Sequence, residues 1–330
     1  MDRRAFFKSG ALAAGLAAAP GRAGAATAGR GGLGIPSPDD KGFKPLPKRR
    51  LGKTGWDLSI IGLGGIVVMN ASQAVANNTV AQAYDAGINY VDVAPSYGDA
   101  QQLLGPALKP YRDRVFLACK TGKRDKAGSE AALNESLKML KTDHIDVYQF
   151  HAVTTMDDVH RIMGPGGAME TFQAAKKAGK IRFIGFSAHS VEASLALLDQ
   201  YDFDTVLFPI NFVLASRENF GPQVIKRANE KGAGMLAIKS MAKSKWPAHI
   251  RQSQKPNPKE WYQPCSIPEE AALALRWTLS QNITAAIPPG DERYFPLAMY
   301  VAQNFRPIRP EEEKLLMAHA AQATPIFPNA

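Results

Sequence analysis

The segment INYVDVAPSYG, residues 88–98, joins a short apolar run to a turn. Residues 90–94 have the composition of a buried strand with Asp92 in its middle, and the Pro-Ser turn that follows presents Tyr97. A strand aspartate and a turn tyrosine can be ordinary structural residues, or they can be two parts of one catalytic site. The pattern on either side of this segment decides between the two interpretations.

Strand-like runs and helical patterns alternate on both sides of this segment, beginning at about residue 50. The strand-like runs are rich in Val, Ile and Phe and fall at 59–63, 90–94, 115–119, 145–150, 181–185, 204–208, 234–238 and 284–287. The helical patterns fall at 77–87, 100–108, 129–141, 167–178, 191–200, 219–231, 268–281, 292–303 and 310–322. Eight strand–helix units predict a parallel sheet covered by helices.

The fold class that this alternation predicts is α/β, and eight units fit a closed (β/α)8 TIM barrel of about 250 residues. A doubly wound open sheet is the alternative. It requires a phosphate-binding turn after the first strand, and IGLGGIVVMN (61–70) has the glycines without the G-x-G-x-x-G spacing or a following helix. The barrel is therefore predicted, over residues 48–330.

The composition of the 330-residue chain limits the classes of function. Apolar residues make up 45% of it, enough for one large domain or two modest ones. The net charge of +10 is scattered, which favours a solvated basic surface over a nucleic-acid-binding face. The two cysteines, Cys119 and Cys265, form no CxxC or Cys/His cluster, so a zinc site or an iron–sulfur cluster is not expected.

Residues 1–25 have the order of an export signal: a charged start, a short Ala-rich stretch and a small-residue exit. The pair Arg3-Arg4, followed by Phe6 and Lys8, resembles the twin-arginine (Tat) signal. We expect Tat export to the periplasm or another extracytoplasmic space, with the Tat machinery as a partner and no stable membrane span; an ordinary amphipathic or disordered tail is the alternative. Residues 26–47, rich in Gly, Pro and Ala, are predicted to be a flexible linker.

Four polar residues fall where three adjacent barrel strands end. Asp92 and Tyr97 follow the second strand, Lys120 ends the third and His151 ends the fourth. Because the chemistry of such barrels lies at the C-terminal ends of the strands, these four residues predict one catalytic rim. A metal site is not expected, because His144 and His151 are about 23 Å apart along the fourth strand.

These four residue types suit the reduction of a carbonyl group. A nearby ammonium stabilises a phenolate, so Lys120 is expected to lower the pKa of Tyr97 and make it a usable acid. Asp92 would hold Lys120 in place, and His151 would orient the substrate oxygen. None of the four supplies a hydride, so the reaction requires a nicotinamide or a similar donor.

The motifs resemble those of the aldo-keto reductase family, from RRLGKTGWDLSIIGLGG (49–65) to AAIPPG (285–290). The strongest matches are INYVDVAPSYG, VFLACKTGKR, DHIDVYQFH and GKIRFIGFSAHS. The resemblance implies a (β/α)8 barrel, a catalytic tetrad of Asp92, Tyr97, Lys120 and His151, and NADP(H) as the usual cofactor.

The cofactor side differs from the family pattern. The family's Ser-Asn after the fifth strand appears here as Ser187-Ala188-His189, so the resemblance implies Ser187 as a nicotinamide contact, with His189 or Asn211 as substitutes. Gly290, before a helix, is a predicted phosphate site. Lys239 and Arg293 favour NADP(H), whereas Asp291 and Glu292 suit the unphosphorylated ribose of NAD(H), which is the alternative.

A long polar loop is predicted at 245–268, where Trp246, Trp261 and Tyr262 can stack on a sugar or another ring or serve as packing anchors. The function predicted is an exported NAD(P)-dependent oxidoreductase acting on a small carbonyl or alcohol, with carbohydrate-like compounds among the candidate substrates. Two alternatives stay open: a cofactor-binding or sensory barrel with reduced or lost turnover, and a redox-neutral isomerase or lyase with a tightly held nicotinamide.

Overall fold

The computed structural model describes residues 39, 41–257 and 259–327. The predicted export signal lies outside these residues, and so does most of the predicted linker. Twelve strands occur in the described part of the chain: β1 (Lys48–Arg50), β2 (Asp57–Ser59), β3 (Leu63–Gly64), β4 (Tyr90–Asp92), β5 (Phe116–Thr121), β6 (Ile145–Val153), β7 (Ile181–Ala188), β8 (Thr205–Pro209), β9 (Gly234–Ile238), β10 (Ala242–Lys245), β11 (Tyr262–Pro264) and β12 (Ala285–Ala286).

Eight of these strands, β3 to β9 and β12, form one parallel sheet in chain order. The sheet closes on itself, because Ile61 and Ala286 form a parallel bridge between its two ends. Two hydrogen bonds reinforce this bridge: Gly62 N donates to Ala286 O over 3.1 Å, and Ala286 N donates to Ile60 O over 2.9 Å. The predicted (β/α)8 barrel is confirmed.

Eleven α-helices lie in the described part of the chain: α1 (Gln73–Asp85), α2 (Ala100–Leu108), α3 (Lys126–Leu140), α4 (Met156–Met163), α5 (Ala168–Lys177), α6 (Val191–Gln200), α7 (Phe212–Glu218), α8 (Pro222–Glu230), α9 (Pro268–Leu279), α10 (Phe295–Gln303) and α11 (Pro310–Ala320). The predictions at 100–108 and 191–200 match α2 and α6 at both ends. None of the helices in the described residues combines the length and apolar character that a membrane crossing requires.

The predicted first strand, 59–63, divides into separate pieces. Its first residue belongs to the antiparallel hairpin β1–β2, Ile61 makes only the closing bridge, and β3 begins at Leu63. The hairpin lies at the N-terminal end of the barrel strands, because Lys53 N donates to Gly232 O just before β9 begins. This hairpin covers that end of the barrel and leaves the opposite end for the site.

The barrel interior is apolar toward the N-terminal ends of its strands. Phe116 packs against Trp56, Tyr90 and Phe183, with ring centroids 5.4, 6.3 and 6.1 Å away. Buried Val147, Leu207, Leu236 and Ala285 belong to the same cluster. This cluster fills the barrel toward the N-terminal ends of its strands. Inward-facing polar side chains therefore gather near the C-terminal ends of the strands.

The predicted loop at 245–268 contains regular structure that its polar sequence did not indicate. β10 and β11 pair as an antiparallel hairpin that begins before this loop. The segment between them crosses the barrel end, since Lys259 Nζ donates to Val67 O over 2.8 Å and lies 3.6 Å from a Glu292 oxygen. The loop therefore bridges the first and last βα connections.

Candidate active site

A buried ion pair joins β4 to β5. Asp92 and Lys120 are 2% and 1% exposed, and the Lys120 ammonium donates to the Asp92 carboxylate. Lys120 Nζ also lies 3.4 Å from Val93 O, and the Tyr90 hydroxyl donates to Asp92 over 3.4 Å. Asp92 therefore pairs with Lys120 inside the protein and compensates its charge.

Tyr97 lies beside this pair in the turn after β4. Tyr97 N donates to Ala94 O over 3.0 Å, which fixes the turn. Lys120 Nζ lies 5.8 Å from the centre of the Tyr97 ring, and the His151 ring meets it edge to face at 6.0 Å. The four residues predicted as a catalytic rim are therefore brought together.

The expected direction of the Tyr97 pKa shift is wrong. Burial, followed by the Asp92 carboxylate and Cys119, raises the pKa of Tyr97 well above its usual value. The Lys120 ammonium does not reverse this rise, because its charge is paired with Asp92, whose carboxylate acts on the phenol in the opposite direction. Tyr97 is consequently a protonated hydrogen-bond donor at neutral pH.

His151 is neutral in this setting. Burial lowers its pKa to about 3, and the nearby positive charges of Lys120, Arg124 and Lys239 act in the same direction. A neutral imidazole can donate one hydrogen bond to a substrate oxygen without competing for the proton of Tyr97.

The backbone at His151 is held by a residue that the sequence analysis did not single out. Arg124 Nη2 donates to His151 O and Ala152 O over 2.8 and 3.2 Å, and Arg124 Nε bonds Asp158 over 2.8 Å. Ala152 has φ of +52°, which few non-glycine residues adopt. Arg124 is the last residue of the VFLACKTGKR segment, so the sequence shows that it lies near Lys120 in the chain. The sequence does not show that it binds Asp158 and the His151 backbone.

Two predicted cofactor contacts lie beside His151. The Ser187 hydroxyl is buried and accepts a hydrogen bond from Ala152 N over 3.4 Å. His189 N donates to Val153 O, and its ring stacks on Phe327 at 4.7 Å. Burial lowers the pKa of His189 to about 3, so it too is neutral. Both residues can offer uncharged hydrogen-bonding groups to a nicotinamide carboxamide.

Asn211 and Lys239 are linked to each other. The Asn211 side chain caps α7 by accepting from Leu214 N over 2.9 Å, and its Nδ2 donates to Lys239 O over 3.3 Å. Asn211 therefore supports the chain locally, whereas the Lys239 ammonium lies 5.3 and 5.2 Å from the ring centres of Trp261 and Tyr262. Burial lowers the pKa of Lys239 to about 8.

At the predicted phosphate site, after the end of β12, the positive charge of Arg293 is paired with the carboxylate of Asp291. Arg293 Nε donates to both oxygens of the buried Asp291 carboxylate over 2.8 and 3.0 Å, and Asp291 also accepts from Arg293 N. A side chain at Gly290 would approach Ile66 to 2.4 Å, so only glycine permits this close packing. The positive charge that would favour the 2′-phosphate of NADP(H) is thus already paired.

One cleft connects the proton donor with the predicted phosphate site, and we call it the active-site cleft. It is lined by Asp92, Tyr97, Lys239, Glu260, Trp261, Tyr262, residues 287–290 and four further residues, Gly64, Ile66, Ile238 and Lys259. Tyr97, Lys239 and Gly290 line this same cleft, whereas Ser187, His189, Asn211 and Arg293 are not among its lining residues. Among the described residues, no group of three His, Cys, Asp or Glu side chains could hold a metal ion.

Comparisons with known proteins agree with this geometry. The Aldo/keto reductase family model matches residues 60–290. The chain is 33% identical to the uncharacterized oxidoreductase YqkF of Bacillus subtilis over 43% of this chain and 49% of that protein, and 28% identical to the L-galactose dehydrogenase of Arabidopsis thaliana over 59% and 65%. The first of these matches covers about half of the relative's length.

A solved structure shares the fold. The aldo-keto reductase AKR11C1 from Bacillus halodurans, in its holo form, aligns with a TM-score of 0.65 and 22% identity over 85% of this chain and 98% of that one. Because the family model covers more than half of the chain, the chain belongs to the aldo/keto reductase family.

Proposed function

We propose that this protein is a NAD(P)-dependent oxidoreductase that interconverts a carbonyl compound and the corresponding alcohol, with Tyr97 as the proton donor. The observation that carries the proposal is the buried Asp92–Lys120 pair beside Tyr97 and the neutral His151. A pure binding protein has little need for this arrangement, because a buried ion pair does not by itself favour stability over apolar packing.

Each residue has a distinct part in the proposed reduction. Tyr97, kept protonated by burial, donates its proton to the substrate oxygen as negative charge develops there. His151 donates a hydrogen bond to the same oxygen and orients it. Lys120, held by Asp92, stabilises the phenolate that remains after the proton has left.

The cofactor that this proposal requires is a nicotinamide nucleotide, which supplies the hydride at the substrate carbon when it is bound. Ser187 and His189 would hold its carboxamide, and Gly290 would receive its phosphates. We propose NADP(H) from the family resemblance; the Asp291–Arg293 pair supports NAD(H) as the alternative, since a carboxylate repels a 2′-phosphate.

The proposed substrate is a small carbonyl or alcohol compound of carbohydrate type. Trp261 is 47% exposed at the active-site cleft and offers a stacking face for a sugar ring. The similarity to an L-galactose dehydrogenase supports the same class. We further propose Tat-dependent export to the periplasm, on the Arg3-Arg4 pattern; absence of the protein from a periplasmic fraction would contradict that part alone.

The test measures NADPH and NADH oxidation with a panel of aldehydes, ketones and sugars, using the wild type and Tyr97→Phe. We expect the variant to lose about 10²–10⁴-fold in kcat, because the ring remains and only the transferable proton is removed. Tyr300→Phe, on the exposed side of α10, is the matched control and should keep wild-type kcat. Equal rates for Tyr97→Phe and the wild type would remove Tyr97 from the mechanism.

A further inference from the structure

Two ionisable side chains of the active-site cleft have no role in the proton transfer. Lys239 and Glu260 both line the cleft that contains Tyr97. Glu260 is 4% exposed, and its Oε1 has no hydrogen-bond partner in the structure. Among the described residues, no carboxylate lies within ion-pair distance of Lys239 Nζ, which instead faces the rings of Trp261 and Tyr262. The Glu260 oxygen is thus a buried acceptor without a partner, and Lys239 is a donor without a counter-charge.

The backbone holds Lys239 in an unusual conformation. Its φ is +65°, in the left-handed region that glycine and asparagine adopt more easily. Lys239 O is fixed by hydrogen bonds from Ala242 N over 2.9 Å and from Asn211 Nδ2 over 3.3 Å. A strained position occupied by lysine and secured on two sides indicates that the side chain is needed there.

The pair has the hydrogen-bonding character of a site for hydroxyl groups. An ammonium only donates and a carboxylate only accepts, whereas a hydroxyl does both. Two neighbouring hydroxyls can therefore satisfy Lys239 and Glu260 together. An anionic group would suit Lys239 but would be repelled by the Glu260 carboxylate, whose Oε1 has no partner to offset its charge.

The pKa shifts of Glu260 and Lys239 indicate that both groups lack full solvation. Burial raises the pKa of Glu260 to about 7, with Asp291 adding to the rise and Arg293 and Lys239 opposing it. Burial also lowers the pKa of Lys239. Both shifts mean that the charged forms are poorly solvated here, so hydroxyl groups that hydrogen-bond to them would stabilise these forms.

We infer that Lys239 and Glu260 bind adjacent hydroxyl groups of the substrate and thereby select hydroxylated carbonyl compounds over plain aldehydes. This inference rests on the proposed function and names a specificity site within it. The Trp261 and Tyr262 rings flank the ammonium and limit the pocket on that side.

The experiment compares glyceraldehyde, which carries two hydroxyl groups, with propanal, which has the same carbon chain and none. The measured quantity is the ratio of their kcat/KM values in the full chain with saturating nicotinamide cofactor. Lys239→Met and Glu260→Gln should each lower this ratio at least tenfold, chiefly through the KM for glyceraldehyde, because the hydroxyl contacts are lost. The exposed pair Glu135 and Lys138 on α3 provides matched controls, Glu135→Gln and Lys138→Met, which should keep the wild-type ratio.

Two results would overturn the inference. The first is a ratio within twofold of the wild type in both variants. The second is a tenfold or larger rise in the Kd for NADPH or NADH with an unchanged ratio, which would assign the residues to the cofactor. Glu260→Gln preserves the shape of the side chain, so it decides the question if Lys239→Met fails to fold by circular dichroism.

Failure of the proposed function gives a different result. If the wild type reduces neither aldehyde with either cofactor, the oxidoreductase proposal fails, and binding is measured instead by quenching of tryptophan fluorescence on titration with galactose. A tenfold weaker Kd in Lys239→Met and Glu260→Gln than in the wild type would still support the hydroxyl site. Galactose binding that is absent from the wild type, or equal in all three proteins, would reject it.

Discussion

Lys120 carries its charge in a place where an isolated ammonium would be strongly disfavoured. It is 1% exposed, and Asp92 beside it is 2% exposed, so each charge depends on the other. Burial raises the pKa of Asp92 while Lys120 opposes that rise. Replacing either residue alone would therefore leave the other as an unpaired buried charge.

We predict that Lys120→Met lowers the free energy of unfolding by about 3–5 kcal/mol, because it leaves a buried carboxylate without a partner. Asp92→Asn combined with Lys120→Met should be less destabilising than the sum of the two single changes, since the double variant has no uncompensated charge. Urea denaturation at about pH 7 measures all three.

The control for this cycle is Arg50→Met, which breaks the pair with Asp57 on the β1–β2 hairpin. Those side chains are 58% and 52% exposed, so the loss should stay below about 1 kcal/mol. Additive effects of the two substitutions at Asp92 and Lys120 would mean that the charges do not depend on each other.

The sequence predicted the four rim residues because strand order and residue parity are local patterns. It did not predict the pKa direction of Tyr97, which depends on how two charges and the surrounding apolar atoms add up at one hydroxyl. Nor did it place Lys239 and Glu260 together. Glu260 lies in the long connection after β9, and no periodicity reports where such a connection folds back.

One buried carboxylate connects the last helix, α11, to α9. Glu312 on α11 is 5% exposed and accepts hydrogen bonds from Arg306 over 2.7 Å and Arg309 over 3.2 Å. It also pairs with Arg276 of α9, whose side chain is 7% exposed. The contact joins α11 to the helix before the last barrel strand.

Glu312→Gln should lower the free energy of unfolding by about 3–5 kcal/mol, because the buried Arg276 guanidinium then lacks its counter-charge. The neighbouring Glu311→Gln is the matched control: Glu311 is 63% exposed, so its loss should be close to neutral. Urea denaturation of both variants gives the comparison. A similar stability for the two would show that α11 is held by its apolar contacts instead.

Elements that the sequence missed are short or lack an apolar pattern. α4 and α7 have eight and seven residues, too few for a helical period to stand out beside the strands that precede them. β10 reads Ala-Lys-Ser-Lys and ends against β11, so its pairing, not its composition, makes it a strand. By contrast, α2 and α6 follow the predicted ranges because each presents several apolar positions to the barrel.

For the molecule as a whole, two neutral histidines at the rim link stability to pH. The pKa of His151 and of His189 is about 3 in the folded protein, below the ordinary value of 6.5. The unfolded chain therefore binds more protons than the folded one between these values. Their contribution to stability is complete above about pH 6.5 and is lost as the pH falls, by about 1.4 kcal/mol per pH unit for each histidine.

We predict that His189→Gln loses about 1.4 kcal/mol less stability than the wild type between about pH 7 and pH 5.5, because one of the two groups no longer takes up a proton on unfolding. Glu260 shifts in the opposite sense but is present in both proteins, so the difference isolates His189. Urea denaturation at the two pH values measures it. The same pH dependence in both proteins would mean that His189 accepts a proton in the folded state.

The closing bridge between Ile61 and Ala286 has a consequence for how the chain reaches its native state. The paired residues are 286 − 61 = 225 positions apart, and only a short β12 makes the joint. During synthesis the barrel cannot close until β12 has left the ribosome. Until then the residues around Ile61 have no partner strand on one side. Because this contact joins residues so far apart in the chain, we expect it to form late in folding.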